Sequence, residues 1–196
     1  MKKKLFIIGA ALLAFLLVLS GCGKDKIDAS SGIHHAEITI KDYGTVTVEL
    51  DADSAPITVE NFIKLAQDKF YDGVTFHRII DGFMIQGGAP AGDPNGGSGK
   101  TIKGEFAENG VENNISHVKG VISMARSNDP DSASSQFFIT VADVSSYLDG
   151  KYAAFGHVTD GLDIVEKIAR EAVPIDDNGT IPKDQQPVIT SIVITD

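Results

Sequence analysis

One cysteine and no tryptophan occur in the 196 residues. A single thiol excludes an internal disulfide framework and any zinc site built on several cysteines. Arginine is almost as scarce: Arg78, Arg126 and Arg170 are the three in the chain, too few for a phosphate-binding stripe. Positive charge is short overall, 17 Lys and Arg against 27 Asp and Glu, for a formal net charge of −10. That balance argues against nucleic-acid binding. No apolar run reaches the about 20 residues that a membrane-spanning helix needs. The apolar and charged fractions are nonetheless those of a globular chain rather than a disordered tail. The length suits one domain with attachments.

Lys2, Lys3 and Lys4, followed by the nearly unbroken apolar run from Leu5 to Leu19, have the order of an export signal. The run closes on Leu19-Ser20-Gly21-Cys22, which resembles the lipobox of bacterial lipoproteins. The resemblance implies cleavage after residue 21 and acylation of Cys22, the only cysteine present. The expected organisation is a signal peptide over 1–21, a lipidated Cys22 with a flexible linker over 22–35, and a folded domain over 36–196. The domain is then extracytoplasmic, lipid-anchored to a bacterial cell membrane; two or more acyl chains hold stably where one does not. An uncleaved anchor with an incidental cysteine tethers it on the same side. His34 and His35 fall in the linker and read as solvated spacer, since neighbours in a linker have no fixed metal-binding geometry.

Strand signals open the domain. Ala36 to Lys41 and Thr45 to Asp51 are β-rich, with Asp42-Tyr43-Gly44 as a hairpin turn between them. Val59, Phe62, Ile63 and Ala66 then follow helical spacing, with Pro56 in the first turn and Ser54 as cap, so a helix is expected over about 56–69. Val74 to Ile80 and Phe83 to Gly87 read as strands around Asp81-Gly82. Residues 88–117, rich in Gly, Asn and Asp, read as an irregular functional surface. Val118 to Ala125, Gln136 to Val141, Ala153 to Val158 and Pro187 to Thr195 complete the strands. Gly161 to Glu171 is a second helix, capped by Asp160 and stopped by Pro174. Many short strands with two well-separated helices favour a mostly-β antiparallel barrel whose helices cover its ends.

Several chemical motifs fail on inspection. Gly96-Gly97-Ser98-Gly99-Lys100-Thr101 resembles a phosphate loop, but Pro94 stands where that loop needs its first glycine. No serine sits in a Gly-x-Ser-x-Gly elbow, although His77, His117 and His157 are available to a hydrolytic triad. Asp176 and Asp177 lie in a Gly- and Pro-rich loop and read as solvated. The informative stretch is Phe76 to Gly88. Alternation there puts Phe76, Arg78 and Ile80 on one face and His77 with Ile79 on the other. On the next strand it groups Met84 with Gln86, and Phe83 with Ile85. An arginine among so many apolar residues is either on a rim or positioned for work, and the pattern alone leaves both readings open.

Phe76 to Gly88 resembles the signature of the cyclophilin family of peptidyl-prolyl cis-trans isomerases. Two more blocks agree in order, Gly120 to Ala125 with Ser135 to Thr140, and Tyr147 to Val158. The similarity spans about 36–196. It implies an eight-stranded antiparallel closed barrel capped by two α-helices, acting without metal or cofactor on proline-containing polypeptides. By resemblance Arg78 is the catalytic cation. Phe83, Met84, Phe138 and Leu148 form the proline pocket, and Gln86 holds the substrate backbone and Arg78. Ala125, Arg126 and Ser127 pair with the extended peptide through their backbone, and Gln136, Tyr147 and Tyr152 join the substrate-binding set.

Three residues depart from the best-known eukaryotic pattern. Arg126 replaces an asparagine, Tyr147 a tryptophan that helps bind cyclosporin, and Tyr152 a histidine. The expected activity is X-Pro isomerisation in exported chains by a monomer, assisting their folding outside the cytoplasm. The competing reading is a non-catalytic proline-peptide-binding chaperone or adhesin module. Retention of Arg78 with Gln86 and Phe138 favours the enzyme, because a binder needs only the pocket.

Overall fold

The computed structural model describes residues 29–90, 93 and 95–196. The expected signal peptide, Cys22 and the first part of the linker lie outside the described residues. The strands are β1 (Ile33–Ile40), β2 (Gly44–Asp51), β3 (Thr75–Ile80), β4 (Met84–Ala89), β5 (Val121–Met124), β6 (Phe137–Thr140), β7 (Ala154–Asp160) and β8 (Ile189–Ile194). They form one antiparallel sheet in the order β3-β4-β6-β5-β7-β2-β1-β8. β1 starts at Ile33, so His34 and His35 are strand residues rather than spacer. His34 is buried and its Nδ1 lies 2.7 Å from an Asp196 carboxylate oxygen.

Paired residues on neighbouring strands share a face, and that rule sorts the sheet into a core side and an outer side. Ile79, Ile85, Ile139 and Ile122 are successive register partners, and all four lie in the main core. The adjacent row is Arg78, Gln86, Phe138 and Ser123, which faces the other way. Beneath the isoleucines, Phe62, Tyr71, Phe76, Phe137 and Phe155 form a connected aromatic cluster with centroid separations from 5.3 to 6.0 Å. Phe137 and Phe138 are neighbours in sequence yet serve opposite faces.

The expected closed barrel is a curled half-barrel. Its edges β3 and β8 form no ladder; the bridge Thr75–Val188 and bonds from the N–H of Gly73 to Ile189 O (2.8 Å) and of Phe76 to Pro187 O (2.9 Å) span the seam. Pro187, with no N–H to give, stands where that ladder would have to continue.

Helix α1 (Pro56–Gln67) buries Thr58, Val59, Phe62, Ile63 and Ala66 and starts with Pro56, as expected. Its cap is not Ser54, whose hydroxyl donates to Asp51. The carboxylate of Glu105, 2 % exposed, accepts from the N–H of Ile57 (3.0 Å) and Thr58 (2.8 Å) and from the Thr58 hydroxyl (2.7 Å). A buried anion at the positive end of the helix satisfies donors that have no partner inside it. Helix α3 (Leu162–Glu171) buries Val165, Ile168 and Ala169, and its N-cap is Gly161 at φ 78° rather than Asp160. A single-turn helix, α2 (Ser145–Leu148), lies between β6 and β7 and is too short for any periodicity to announce.

Candidate active site

A cavity of about 400 Å³ opens on the outer face of the sheet. Its position follows from two irregularities in the β3–β4 ladder. Phe76 pairs with Gly87 and Arg78 with Gln86, so His77 is an extra residue on β3. The extra residue reverses the alternation. Phe76 and Ile79 therefore both enter the core, while Arg78 and Ile80 turn outward, which corrects the expected grouping of Phe76 with Arg78. On β4 the compensating residue is Gly88, at φ 91°, where an added Cβ would stand 2.4 Å from Ser135 O. Phe83, expected beside Ile85, precedes β4 and packs with Met84 in the outer cluster.

Met84, Phe138 and Leu148 of that outer cluster, with Phe83, Ala125 and Tyr152 beside them, are the apolar part of the cavity, and Val144 packs against them from outside it. Phe138 is its floor. One side of the ring stacks on His117 at 6.1 Å and 17°, and Tyr152 meets it edge-on at 5.9 Å. Arg78 is half-buried at the rim, its guanidinium carbon 6.0 Å from the Phe83 centroid. Nη1 donates to Gln86 Oε1 at 3.1 Å and Nε to the Asn178 carbonyl at 2.7 Å. Burial pulls the Arg78 pKa down from its ordinary value, yet a guanidinium titrates too high to lose its charge near neutrality.

Arg126 stands across the cavity. Its guanidinium carbon lies 5.0 Å from the Phe106 ring centroid and 4.8 Å from that of Tyr152. Nε donates to Lys151 O (2.9 Å) and Nη1 to Ser127 O (2.8 Å). Ser127 and Gln136 line a neighbouring cavity that shares Gln86, Ala125 and Arg126 with the first. The expected residues thus converge along one groove, except Tyr147. Its side chain is on α2 and the residue is 72 % exposed, so it borders neither cavity.

His77 is buried beside Arg78, and its Nδ1 has no hydrogen-bond partner among the described residues. Burial, then the neighbouring Arg78 charge, hold its pKa below the ordinary histidine value. Asn95, Asn178, Thr180 and Gln186 also line the cavity, and the sequence carried no signal for them.

The histidines raise the question of hydrolysis again. His117 Nδ1 lies 2.8 Å from Asp149 Oδ1 and Nε2 3.0 Å from Ser123 Oγ, the connectivity of a catalytic triad. Ser123 is wholly buried behind Phe138, however, and a nucleophile must meet its substrate. This network supports the pocket floor. Desolvation lowers the His117 pKa, with the Asp149 carboxylate pulling the other way.

A fixed cation over an apolar hollow, with no serine or cysteine among the described residues that line it, suits binding and polarisation of a neutral group. Comparisons with known proteins point the same way. The family model described as cyclophilin type peptidyl-prolyl cis-trans isomerase/CLD matches residues 35–195. Peptidyl-prolyl cis-trans isomerase A of Dickeya dadantii is 39% identical over 165 residues, covering 81% of this chain and 83% of its own. Peptidyl-prolyl cis-trans isomerase-like 1 of Rhizopus delemar is 44% identical over 126 residues, covering 64% of this chain and 74% of its own. The crystal structure of a Cryptosporidium parvum cyclophilin type isomerase in the presence of the dipeptide Ala-Pro superposes with a TM-score of 0.72 at 29% identity. It covers 83% of this chain and 99% of that one.

Proposed function

The chain belongs to the family of cyclophilin-type peptidyl-prolyl cis-trans isomerases, and from that membership we propose that it accelerates X-Pro rotation in polypeptides folding outside the cytoplasm. The observation that carries the reading is the Arg78 guanidinium, held by Gln86 and by the Asn178 carbonyl at the rim of the cavity floored by Phe138.

Rotation about an X-Pro amide faces a barrier of about 18–20 kcal/mol that comes from resonance between nitrogen and carbonyl. No covalent bond breaks, so the task is to favour the twisted amide over the planar one. The proline ring enters the hollow formed by Met84, Phe138 and Leu148. The backbone of Ala125 to Ser127 pairs with the extended chain before it, as in strand addition. Arg78 then donates a hydrogen bond toward the prolyl nitrogen, whose lone pair becomes available only when it leaves conjugation. A preorganised charge acts there without reorganising. Lowering the barrier by about 5 kcal/mol gives about 10³–10⁴ in rate.

The cellular setting rests on the N-terminal sequence. Lys2 to Leu19 and Cys22 support export and lipid attachment, which would place the domain, read as a monomer, at the membrane surface. Uncatalysed X-Pro isomerisation takes tens to hundreds of seconds, long enough to hold up folding there.

Two assays test this. NMR exchange spectroscopy on a short Ala-Pro-Phe peptide should show cis-trans exchange accelerated by catalytic amounts of the protein; binding without acceleration supports the chaperone or adhesin alternative. Expressed in a bacterium, the chain should fractionate with the membrane, and Cys22→Ser should abolish incorporation of labelled palmitate.

A further inference from the structure

The segment Asp176 to Thr180 lies against the free edge of β3. Arg78 and Thr180 form a bridge, the Ile79 N–H donates to Gly179 O at 2.8 Å, and the Ile181 N–H donates to His77 O at 3.0 Å. Gly179 makes the approach possible. It sits at φ 85°, and an added Cβ would stand 2.5 Å from Ile80 Cγ1 and 2.7 Å from Ile79 O. Asp176 closes the turn: its Oδ1 accepts the Thr180 N–H at 2.9 Å, and its carbonyl accepts the Gly179 N–H at 3.1 Å. These donors, the Thr180 N–H foremost, hold the exposed carboxyl below the usual carboxylate range. With the turn closed, the Asn178 carbonyl points back at Arg78 Nε.

The guanidinium needs such a second support. Held at Gln86 alone, through one Nη1 bond, a long side chain pivots about that contact. A bond at Nε from a different segment fixes the plane of the cation as well as its position.

We propose that Asp176 is a positioning residue for Arg78, closing the 176–180 turn so that the Asn178 carbonyl holds the guanidinium in its working orientation. The assignment rests on the isomerase reading above. Asp176 is exposed to solvent, as its sequence setting leads one to expect, and that exposed carboxyl has a mechanical role as well. Asp176 touches no substrate; it acts through the turn.

The test uses the full chain in mild detergent, with two readings. Peptide exchange kinetics give kcat and KM. The 15N-correlated signal of the Arg78 Nε proton, identified by its loss in Arg78→Lys, reports the bond to Asn178 directly. Asp176→Ala should lower kcat about tenfold, the scale of a small misplacement of a catalytic group. KM should stay within about twofold, and solvent exchange of the Nε proton should rise about tenfold, because the same bond protects it. Asp176→Asn, which keeps an acceptor oxygen, should restore both readings. Asp176→Ser, with a shorter acceptor, should fall between them and decides the matter if the alanine variant does not fold. A protected Nε proton with unchanged kcat in folded Asp176→Ala overturns the proposal. Because the Nε reading needs no turnover, an inactive wild type would sink the isomerase reading and still leave the coupling measurable.

Discussion

Arg78 and Gln86 are register partners on β3 and β4, and Arg78 Nη1 donates to Gln86 Oε1 at 3.1 Å. The contact is the first of a relay. Gln86 Nε2 donates to Gln136 Oε1 at 3.0 Å, and Gln136 Nε2 donates to Gly96 O at 2.8 Å. Each amide is oriented by the next, so the cation inherits its placement from a loop beyond β4.

Breaking the relay should cost rate before it costs structure. Gln86→Ala should lower kcat about tenfold, and Gln136→Ala, one link further away, by about threefold, in line with the loss of positioning bonds in a preorganised site. Peptide exchange kinetics on both variants check this, alongside circular dichroism to establish that the fold is kept. Equal losses in the two variants would contradict a relay that ends on Arg78.

Phe138 carries binding and stability together. It is 4 % exposed, stacked on His117 and edge-on to Tyr152. Phe138→Ala should destabilise the domain by about 3 kcal/mol, as for a buried aromatic cut to a methyl group. It should also raise KM by about tenfold or more through loss of the pocket floor. Urea unfolding and peptide kinetics measure the two effects. Phe138→Leu, which refills most of the volume, should recover most of the stability.

Acid should weaken the fold through its buried imidazoles. His77 and His117 are both held below the ordinary value of 6.5 by burial. In the unfolded chain these groups take up protons as pH falls through about 6.5, while the folded protein resists until a lower pH. Stability is therefore full above that value and declines on acidification toward the lowered folded pKa values, by up to about 1.4 kcal/mol per pH unit for each histidine. Urea midpoints at pH 8, 6 and 5 should fall in that order, and His117→Gln should flatten the trend. Turnover above pH 6.5 should be level, since the Arg78 charge does not titrate there.

Alternation and spacing made most of the sheet legible, including the partnership of Met84 with Gln86 and the positions of α1 and α3. They failed at His77, because a bulge shifts every later residue to the opposite face and leaves no mark in composition. The site was legible where it is built from blocks that follow one another along β3 to β6. Asn178 reaches it from a distant loop through its backbone carbonyl, and a carbonyl acceptor has no residue signature. Tyr147 shows the reverse: it sits in the right block, but the single turn of α2 leaves it exposed to solvent. The Glu105 cap escaped notice for a related reason. Its ring of partners is about 47 residues away in the chain, beyond the reach of local capping rules.

The most direct measurement compares wild type with Arg78→Ala in cis-trans exchange of an Ala-Pro-Phe peptide by NMR. Arg78 is at a rim and contributes little to the core, so the variant should fold with an unchanged amide spectrum away from the groove. Its catalysed exchange should fall by about 10²–10³, most of the rate that transition-state stabilisation of about 5 kcal/mol supplies. A folded Arg78→Ala protein that exchanges the peptide as fast as wild type would contradict the assignment of catalysis to this guanidinium.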